Sequence, residues 1–229
     1  MNIVGDNDIF GSTAGVTSYM ARLYSTLPVE DFRYSHVNMF FSGGSNFAQP
    51  SCLTGEAISR DTKGAEVETA NYWDAAYALI RETNYFIETL PKYADSHSAA
   101  EIESLLGEAY FIRAYTYFAL VKRYGGVPIV KEVKVLNGAV EQSQLYTPRS
   151  TPKQVMDFIK ADITKAFEYF ASSGTEWTNN VTWSKAATQM LAAEVYLWSA
   201  KVSLGDQVPA TTDIATAEGY LTEVKNNHY

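Results

Sequence analysis

The side chains best suited to contact a ligand lie between positions 32 and 70, where the sequence shows no sustained periodicity, and at Trp73, which opens the helix that follows. A pyranose ring has an apolar C–H face that stacks on an aromatic ring, and hydroxyls that pair with amide, carboxylate and guanidinium groups. This stretch offers both kinds of partner, and an irregular segment of about 40 residues is commonly functional. We therefore predict a glycan-binding site made of Phe40, Phe41, Asn46, Phe47, Arg60, Asp61 and Trp73.

The same aromatic rings have a structural alternative. Aromatic side chains in a loop commonly pack that loop onto the neighbouring helices, where their area is buried. Trp177 and Trp183, which follow a Ser-Ser-Gly break, are second candidates for stacking on a sugar and have the same alternative. The residue types alone leave both interpretations open.

The residue pattern gives little support to catalysis. An all-helical glycosidase needs two carboxyl groups about 5–10 Å apart across the sugar. Glu108 and Glu194 lie in apolar helical segments, but neither has an obvious partner, which favours a charge at the edge of the helix or a buried ion pair. The sequence contains no nucleophile elbow and no Walker-type phosphate loop. We expect a protein that is not an enzyme.

The residues that bind metals are too scattered to predict a metal site. His36, His97 and His228 are far apart and show no metal-ligand spacing. Cys52 is the single cysteine, so it has no partner within the chain for a disulfide. We expect no metal and no cofactor, and we assign Cys52 no role beyond that of a small, partly buried side chain.

Composition narrows the class of partner. Hydrophobic residues make up 46% of the 229, which is enough for a substantial core. The formal net charge is −8, and no cluster of Lys and Arg is present, which argues against nucleic acid or an anionic membrane surface as partner. No run approaches the roughly 20 apolar residues that span a bilayer.

The elements that would position these side chains are all predicted to be helical. Apolar residues recur at helical spacing, and Ser, Thr, Pro and Gly mark the ends. The pattern predicts an all-α fold of antiparallel helical hairpins, of a degenerate tetratricopeptide-like type, with long irregular loops. Residues 131–146 are Val-rich and are predicted to form a short strand or an extended excursion. The predicted helices span residues 17–27, 71–90, 98–124, 151–172, 184–202 and 212–226.

The helix over residues 98–124 is predicted to be the central element. Ser98 and Glu101 form a capping-box pair at its start, and Gly125 with Pro128 ends it. Its aromatic residues fall on more than one face, so we expect neighbours nearly all round it. Arg113 is the only charged residue between positions 109 and 121. If its guanidinium is buried, it requires a polar partner. We favour a structural Arg paired with a carboxylate from a neighbouring helix over one that orders the helices near a ligand.

Two segments carry a family resemblance. The spacing of residues between Gly107 and Val130 resembles the signature helix of the SusD-like (RagB/SusD) outer-membrane glycan-binding lipoproteins, and the helix before it resembles the segment that precedes that signature. The matching residues in the two segments are Ala109, Arg113, Ala114, Tyr117, Leu120, Tyr124, Gly125 and Pro128, and Trp73, Tyr77, Ile80 and Asn84. That family has tetratricopeptide-like helices in its N-terminal half, and the order of the helices predicted here agrees with that arrangement.

The resemblance implies a function and a location. A member of this family binds an oligosaccharide or a starch-like polysaccharide at the surface of the outer membrane, where a lipid anchor that is absent from this sequence holds it. It assists nutrient uptake through a SusC-like TonB-dependent transporter. The family places part of its glycan site before the helix that contains Trp73, although it commonly has Thr-Asp-Glu where this chain has Thr54-Gly55-Glu56. On this basis residues 1–229 form a single helical SusD-like domain that lacks the loop-rich C-terminal half.

Two other functions stay open at this stage. Stacked helical hairpins make concave surfaces that bind peptides or proteins, so the chain is alternatively a helical-repeat adaptor for protein–protein interaction. A glycosidase is the third candidate and requires a cleft with paired carboxylates.

Overall fold

The computed structural model describes residues 5–27, 70–132, 146–174 and 182–228. Apart from an isolated pair of backbone bridges between Leu204 and Gln207, the regular structure in these ranges is helical. A 3₁₀-helix over Leu90–Ser96 contains Pro91 near its start. The α-helices are α1 (Asp6–Phe10), α2 (Thr13–Ser25), α3 (Ala70–Thr89), α4 (Ala99–Tyr124), α5 (Pro152–Ser173), α6 (Lys185–Lys201) and α7 (Thr212–His228).

The predicted all-α fold is confirmed, and capping residues set most of the helix boundaries. The side chains of Ser98, Thr151 and Ser184 each accept a hydrogen bond from a backbone N–H in the first turn of α4, α5 and α6. Thr151 and Gln154 also complete a reciprocal capping box, and Pro152 occupies the first position of α5. The same residues mark the starts of the helices predicted from the sequence at positions 98, 151 and 184.

The N-terminal segment differs from the prediction. Helix α2 begins at Thr13 instead of residue 17, and the short helix α1 precedes it within a stretch expected to be a loop. The Gly5 backbone N–H donates to Asp8 Oδ2 at 2.9 Å, which closes the first turn of α1. Phe10 at the end of α1 is fully buried. The tertiary burial of this one ring holds a helix that is too short to be stable by itself.

Helix α4 is the central element, as predicted. Buried residues cover it from Leu106 to Val121 on nearly every face, and α3 and α5 pack along it. Gly125, with φ of 68°, and Pro128 end the helix. The predicted capping box is realised in part, because Ser98 Oγ accepts from the Glu101 N–H while the Glu101 carboxylate lies 3.4 Å from His97 Nδ1.

Two buried clusters form the interior. The central core lies between α3, α4, α5 and α6, and the N-terminal core lies between α1, α2, α3, the 3₁₀-helix and α4. The Trp183 ring, just before α6, packs against both clusters. Within the described ranges, no helix combines the length and the apolar character that crossing a bilayer requires.

Candidate functional site

The structure describes one of the seven predicted glycan-binding residues, Trp73 in the first turns of α3. Of the two second candidates, it describes Trp183 but not Trp177. The residues of the predicted site that lie outside the described ranges are Phe40, Phe41, Asn46, Phe47, Arg60 and Asp61. The candidate site is therefore built around Trp73.

Trp73 is part of an aromatic group where α3 meets the end of α4. Its ring centroid lies 4.9 Å from that of Tyr77, one turn further along α3, and 5.1 Å from that of Tyr124 in an edge-on arrangement. These distances are in the favourable range for aromatic pairs. Trp73 stays partly exposed to solvent, so its side chain both packs and reaches the surface.

Arg149, in the segment leading into α5, completes this group. Its guanidinium carbon lies 5.2 Å from the centre of the Trp73 ring, within the range of a cation–π contact. Nη1 donates to the carbonyl oxygens of Tyr124, at 3.2 Å, and Gly126, at 2.6 Å. The side chain is otherwise exposed. We call Trp73, Tyr77, Tyr124 and Arg149 the Trp73 cluster.

The backbone at the end of α4 brings Arg149 close to Trp73. A Cβ at Gly126 would lie 2.2 Å from the carbonyl oxygen of Ser150, so only glycine permits this approach. The Ser150 N–H donates to the Val127 carbonyl at 3.1 Å and fixes the two segments side by side. The Tyr77 hydroxyl donates to the Pro128 carbonyl at 2.7 Å. Burial raises the pKa of Tyr77, which keeps this hydroxyl protonated as a donor.

The sequence pattern identified Trp73 but not Arg149. In the sequence, Arg149 is recognisable only as a residue just before the start of a helix. Its partners Trp73 and Gly126 are far from it in the sequence. The Gly125-Gly126 pair was interpreted as a helix end, and it also serves as the point of close approach that positions Arg149. Such a contact between distant segments leaves no local periodic signal.

Arg113 has the structural role that its sequence context favours. Its Nε and Nη2 donate to the two carboxylate oxygens of Asp162 on α5, at 2.7 and 2.8 Å, and Nη1 donates to Asn84 Oδ1 on α3 at 2.8 Å. Asn84 in turn donates to the Val130 carbonyl at 2.9 Å. The network ties α3, α4 and α5 together inside the protein. Each of the two Asp162 oxygens accepts a bond from Arg113, which satisfies a buried pair.

The two carboxyl groups considered for catalysis serve different contacts. Glu108 is buried, and its Oε2 accepts a short hydrogen bond from the Tyr24 hydroxyl, which itself accepts the Trp183 backbone N–H at 3.0 Å. Burial raises the pKa of Glu108 to about 7, while the Tyr24 hydrogen bond opposes that rise. Glu194 is 60% exposed and lies 3.3 Å from Lys122 Nζ. Glu108 thus pairs with a phenol rather than an ion, and Glu194 forms a surface ion pair.

A concavity lies between α4, α6 and α7, and we call it the apolar groove. Its volume is about 790 Å³. The Trp183 ring, stacked on Phe111 at 4.2 Å between ring centroids, forms part of its lining, and Glu194 is the one charged residue among the described residues that line it. The other main lining residues are Tyr115, Met190, Leu197 and Leu221. A groove lined by so few polar groups is better suited to an apolar surface of a partner than to a hydroxyl-rich sugar.

Within the described ranges, no three His, Cys, Asp or Glu side chains are grouped so that they could hold a metal ion. The polar groups of the Trp73 cluster are a guanidinium and phenols, which bind through hydrogen bonds and stacking. The arrangement is therefore suited to binding a ligand through these groups.

Comparison with known proteins gives one consistent family. Residues 9–197 match the SusD-like family described as starch-binding and associating with the outer membrane. The SusD-like protein P38 of Formosa agariphila is 30% identical over 128 residues, which make up 55% of this chain and 22% of P38. The matched segment thus spans less than a quarter of that relative's length.

Solved structures agree on the fold. A SusD superfamily protein from Bacteroides fragilis is 30% identical with a TM-score of 0.69, and the match covers 95% of this chain and 44% of that protein. A laminarin-binding SusD-like protein is 18% identical with a TM-score of 0.64, covering 93% of this chain and 43% of the other. At that level of identity the second likeness shows the fold alone.

Proposed function

We infer that this protein binds glycan at the outer membrane, because the chain belongs to the SusD-like family of starch-binding proteins that associate with that membrane. The observation that carries this inference is the extent of the family match. It runs from residue 9 to residue 197 and so includes Trp73, Tyr124 and Arg149.

The Trp73 cluster is our proposed contact surface for the sugar. A partly exposed indole offers area to the C–H face of a pyranose, and the guanidinium of Arg149 donates hydrogen bonds to hydroxyl groups. Phe40, Phe41, Asn46, Phe47, Arg60 and Asp61 stay predicted contributors to the same site. A glucan is a suitable first ligand, since the family is described as starch-binding and one relative of the same fold is named for laminarin.

Further steps of the function are proposed from the family. The protein would sit on the cell surface through a lipid anchor and pass oligosaccharide to a SusC-like TonB-dependent transporter. The helices would form the scaffold that faces the transporter. Co-purification with a SusC-like transporter co-expressed in the same outer membrane tests this partnership, and separation of the two in mild detergent would count against it.

Calorimetric titration of the 229-residue chain against a panel of glucan oligosaccharides tests glycan binding. We expect Trp73→Ala to weaken binding by roughly 5- to 30-fold, because one lost stacking contact costs roughly 1–2 kcal/mol. Trp198→Ala is a matched control, since Trp198 is also partly exposed on a helix but packs edge-on against Phe118, away from the cluster. A chain with full helical circular dichroism that binds no glycan in the panel would contradict the proposal.

The apolar groove favours a second candidate function, a helical-repeat adaptor. Met190 is 52% exposed in its lining, and exposed apolar patches commonly mark protein-binding surfaces. If the protein is an adaptor, Leu197→Glu in the apolar groove should abolish its association with the co-expressed transporter. Neither the wild type nor any variant should then bind glycan. Glycan binding that depends on Trp73 would exclude the adaptor as the main function.

A further inference from the structure

We propose that the Trp73 cluster recognises a glycan carrying an anionic substituent, a carboxylate or a sulfate ester, and that Arg149 is the residue that selects it. The inference rests on the proposed glycan-binding function and narrows the class of sugar. It comes from the hydrogen-bonding capacity that the fold leaves on one guanidinium.

The contacts of Arg149 use only one edge of its guanidinium. Nη1 carries two hydrogens, and it donates to two carbonyl oxygens, those of Tyr124 and Gly126. The guanidinium carbon lies over the Trp73 ring, 5.2 Å from its centre. Among the described residues, Nε and Nη2, which carry three N–H donors, have no hydrogen-bond partner, and Arg149 is exposed to solvent. These two nitrogens form the side-on edge that binds a carboxylate through two parallel hydrogen bonds.

Arg149 also differs from other arginines of the described ranges in lacking an acidic partner. Arg22 and Arg81 lie 3.7 and 3.0 Å from Glu82, and Arg113 is bound by Asp162. In the ranges that the structure describes, the hydrogen-bond partners of Arg149 are the carbonyl oxygens of Tyr124 and Gly126. In a chain of net charge −8, a rigidly held cation whose partners among the described residues are neutral is suited to an external anion.

The position of Arg149 links charge recognition to the sugar ring. The two carbonyl bonds and the indole beneath fix the guanidinium, so little side-chain entropy remains to be lost on binding. An anion bound to Arg149 would hold its attached ring near Trp73, because the guanidinium carbon lies 5.2 Å from the centre of that indole. A neutral sugar would form only hydroxyl bonds at the same edge, which are weaker than charge-assisted ones.

Matched ligands test the inference. We would titrate the 229-residue chain with a neutral glucan oligosaccharide, the same oligosaccharide oxidised to uronic acids at C6, and its C6 sulfate ester. We expect at least one anionic form to bind roughly tenfold tighter than the neutral one, as a charge-assisted hydrogen bond on an exposed site would give. The comparison of the two anionic forms identifies which substituent the site takes.

Variants of Arg149 assign the preference to this residue. Arg149→Gln should remove the anionic advantage, so that it weakens binding of the anionic form by a larger factor than binding of the neutral form. Arg149→Lys should retain only part of the advantage, because lysine lacks the planar fork of donors. Arg81→Gln is the matched control, because it removes another exposed arginine with the same change of net charge. The control should keep the full preference, and circular dichroism of each variant checks folding.

Each contrary outcome has a distinct meaning. If the wild-type chain binds neutral and anionic forms equally, the inference is overturned while the glycan-binding function stands. Loss of neutral and anionic binding by the same factor in Arg149→Gln also overturns it, since Arg149 would then only position Trp73. If none of the three ligands binds to the folded wild-type chain, the proposed function itself fails. The wild-type comparison decides the matter even if a variant does not fold.

Discussion

Glu108 is a carboxyl group buried between α4 and α2 with a phenol as its hydrogen-bond donor. Because burial raises its pKa from the ordinary 4.5 to about 7, the folded state holds the proton more tightly than the unfolded chain does. The resulting stabilisation is fully present below about pH 4.5 and is lost as the pH rises through about 7. The difference is worth roughly 3 kcal/mol.

We predict that Glu108→Gln removes this part of the pH dependence. The variant should be more stable than the wild type at pH 8 by roughly 2–3 kcal/mol and close to it at pH 5, because the amide cannot ionise. Urea unfolding measured from pH 5 to pH 9 provides the check. Glu194→Gln, which removes a 60% exposed carboxylate from a surface ion pair, is the control and should change stability by no more than about 1 kcal/mol. Parallel profiles for the wild type and Glu108→Gln would show that Glu108 does not titrate in this way.

The Arg113–Asp162 pair makes a second prediction at the residue scale. Removing one partner leaves an uncompensated buried charge, so Asp162→Ala should destabilise the protein by about 3–5 kcal/mol. The double variant Arg113→Met with Asp162→Leu should lose less, because no charge stays buried. Thermal unfolding of the single and double variants checks this order. A double variant less stable than Asp162→Ala would mean that the Asn84 contact dominates instead.

Among the helices, α4 and α5 make the most extensive contact, and a glycine permits it. A Cβ added at Gly107 on α4 would lie 2.9 Å from the Phe170 ring on α5. We predict that Gly107→Ala costs about 1–3 kcal/mol because the buried ring must move in a packed interior. Chemical unfolding gives the value.

A second helical glycine provides the matched control. Gly219 lies on α7, and a Cβ there would have no heavy atom within 4 Å. Gly219→Ala should therefore stabilise the protein by about 0.5–1 kcal/mol through helix propensity alone. If both alanine variants shift stability in the same direction, the Phe170 contact is not what sets the cost at Gly107.

Helix positions could be predicted from the sequence where a local residue pair encodes an end. Thr151 with Pro152, Ser184, and Gly125 after α4 each place a boundary within a residue or so of the observed one. Helix α1 could not be predicted in this way, because it depends on burying Phe10 against distant helices. Most of residues 131–146, predicted to be a strand or an extended excursion, lies outside the described ranges.

The candidate site was predictable to a smaller extent, for the same reason. Trp73 belongs to a local pattern of aromatic and polar residues, and that pattern is visible in one sequence. Its contact with Arg149 depends on the close approach of the backbone at Gly126 to Ser150 and joins segments that are far apart in the sequence. Likewise, the lone charge at Arg113 predicted a carboxylate partner from a neighbouring helix, but nothing local identified that partner as Asp162.

At the scale of the whole molecule, the Trp183 ring packs against both buried clusters, which α3 and α4 also share. The Trp183 ring stacks on Phe111 at 4.2 Å in the central core and lies 6.1 Å from Tyr24 beside the N-terminal core. Its backbone N–H donates to the Tyr24 hydroxyl. Few other contacts join α2 to the helices after α4, so Trp183 carries much of the coupling between α2 and the central core.

We predict that Trp183→Ala destabilises the protein by about 2–3 kcal/mol, somewhat less than a fully buried Trp→Ala change, since this ring is only partly buried. The loss should be uneven. Amide hydrogens of α2 should exchange faster than those of α5, because the N-terminal core can then open as a separate cooperative unit. Trp183→Phe keeps a ring against Phe111 and should retain most of the coupling, whereas Trp198→Ala should loosen α6 without exposing α2. Equal acceleration of exchange in α2 and α5 after Trp183→Ala would show that the two cores open together and that other contacts join them.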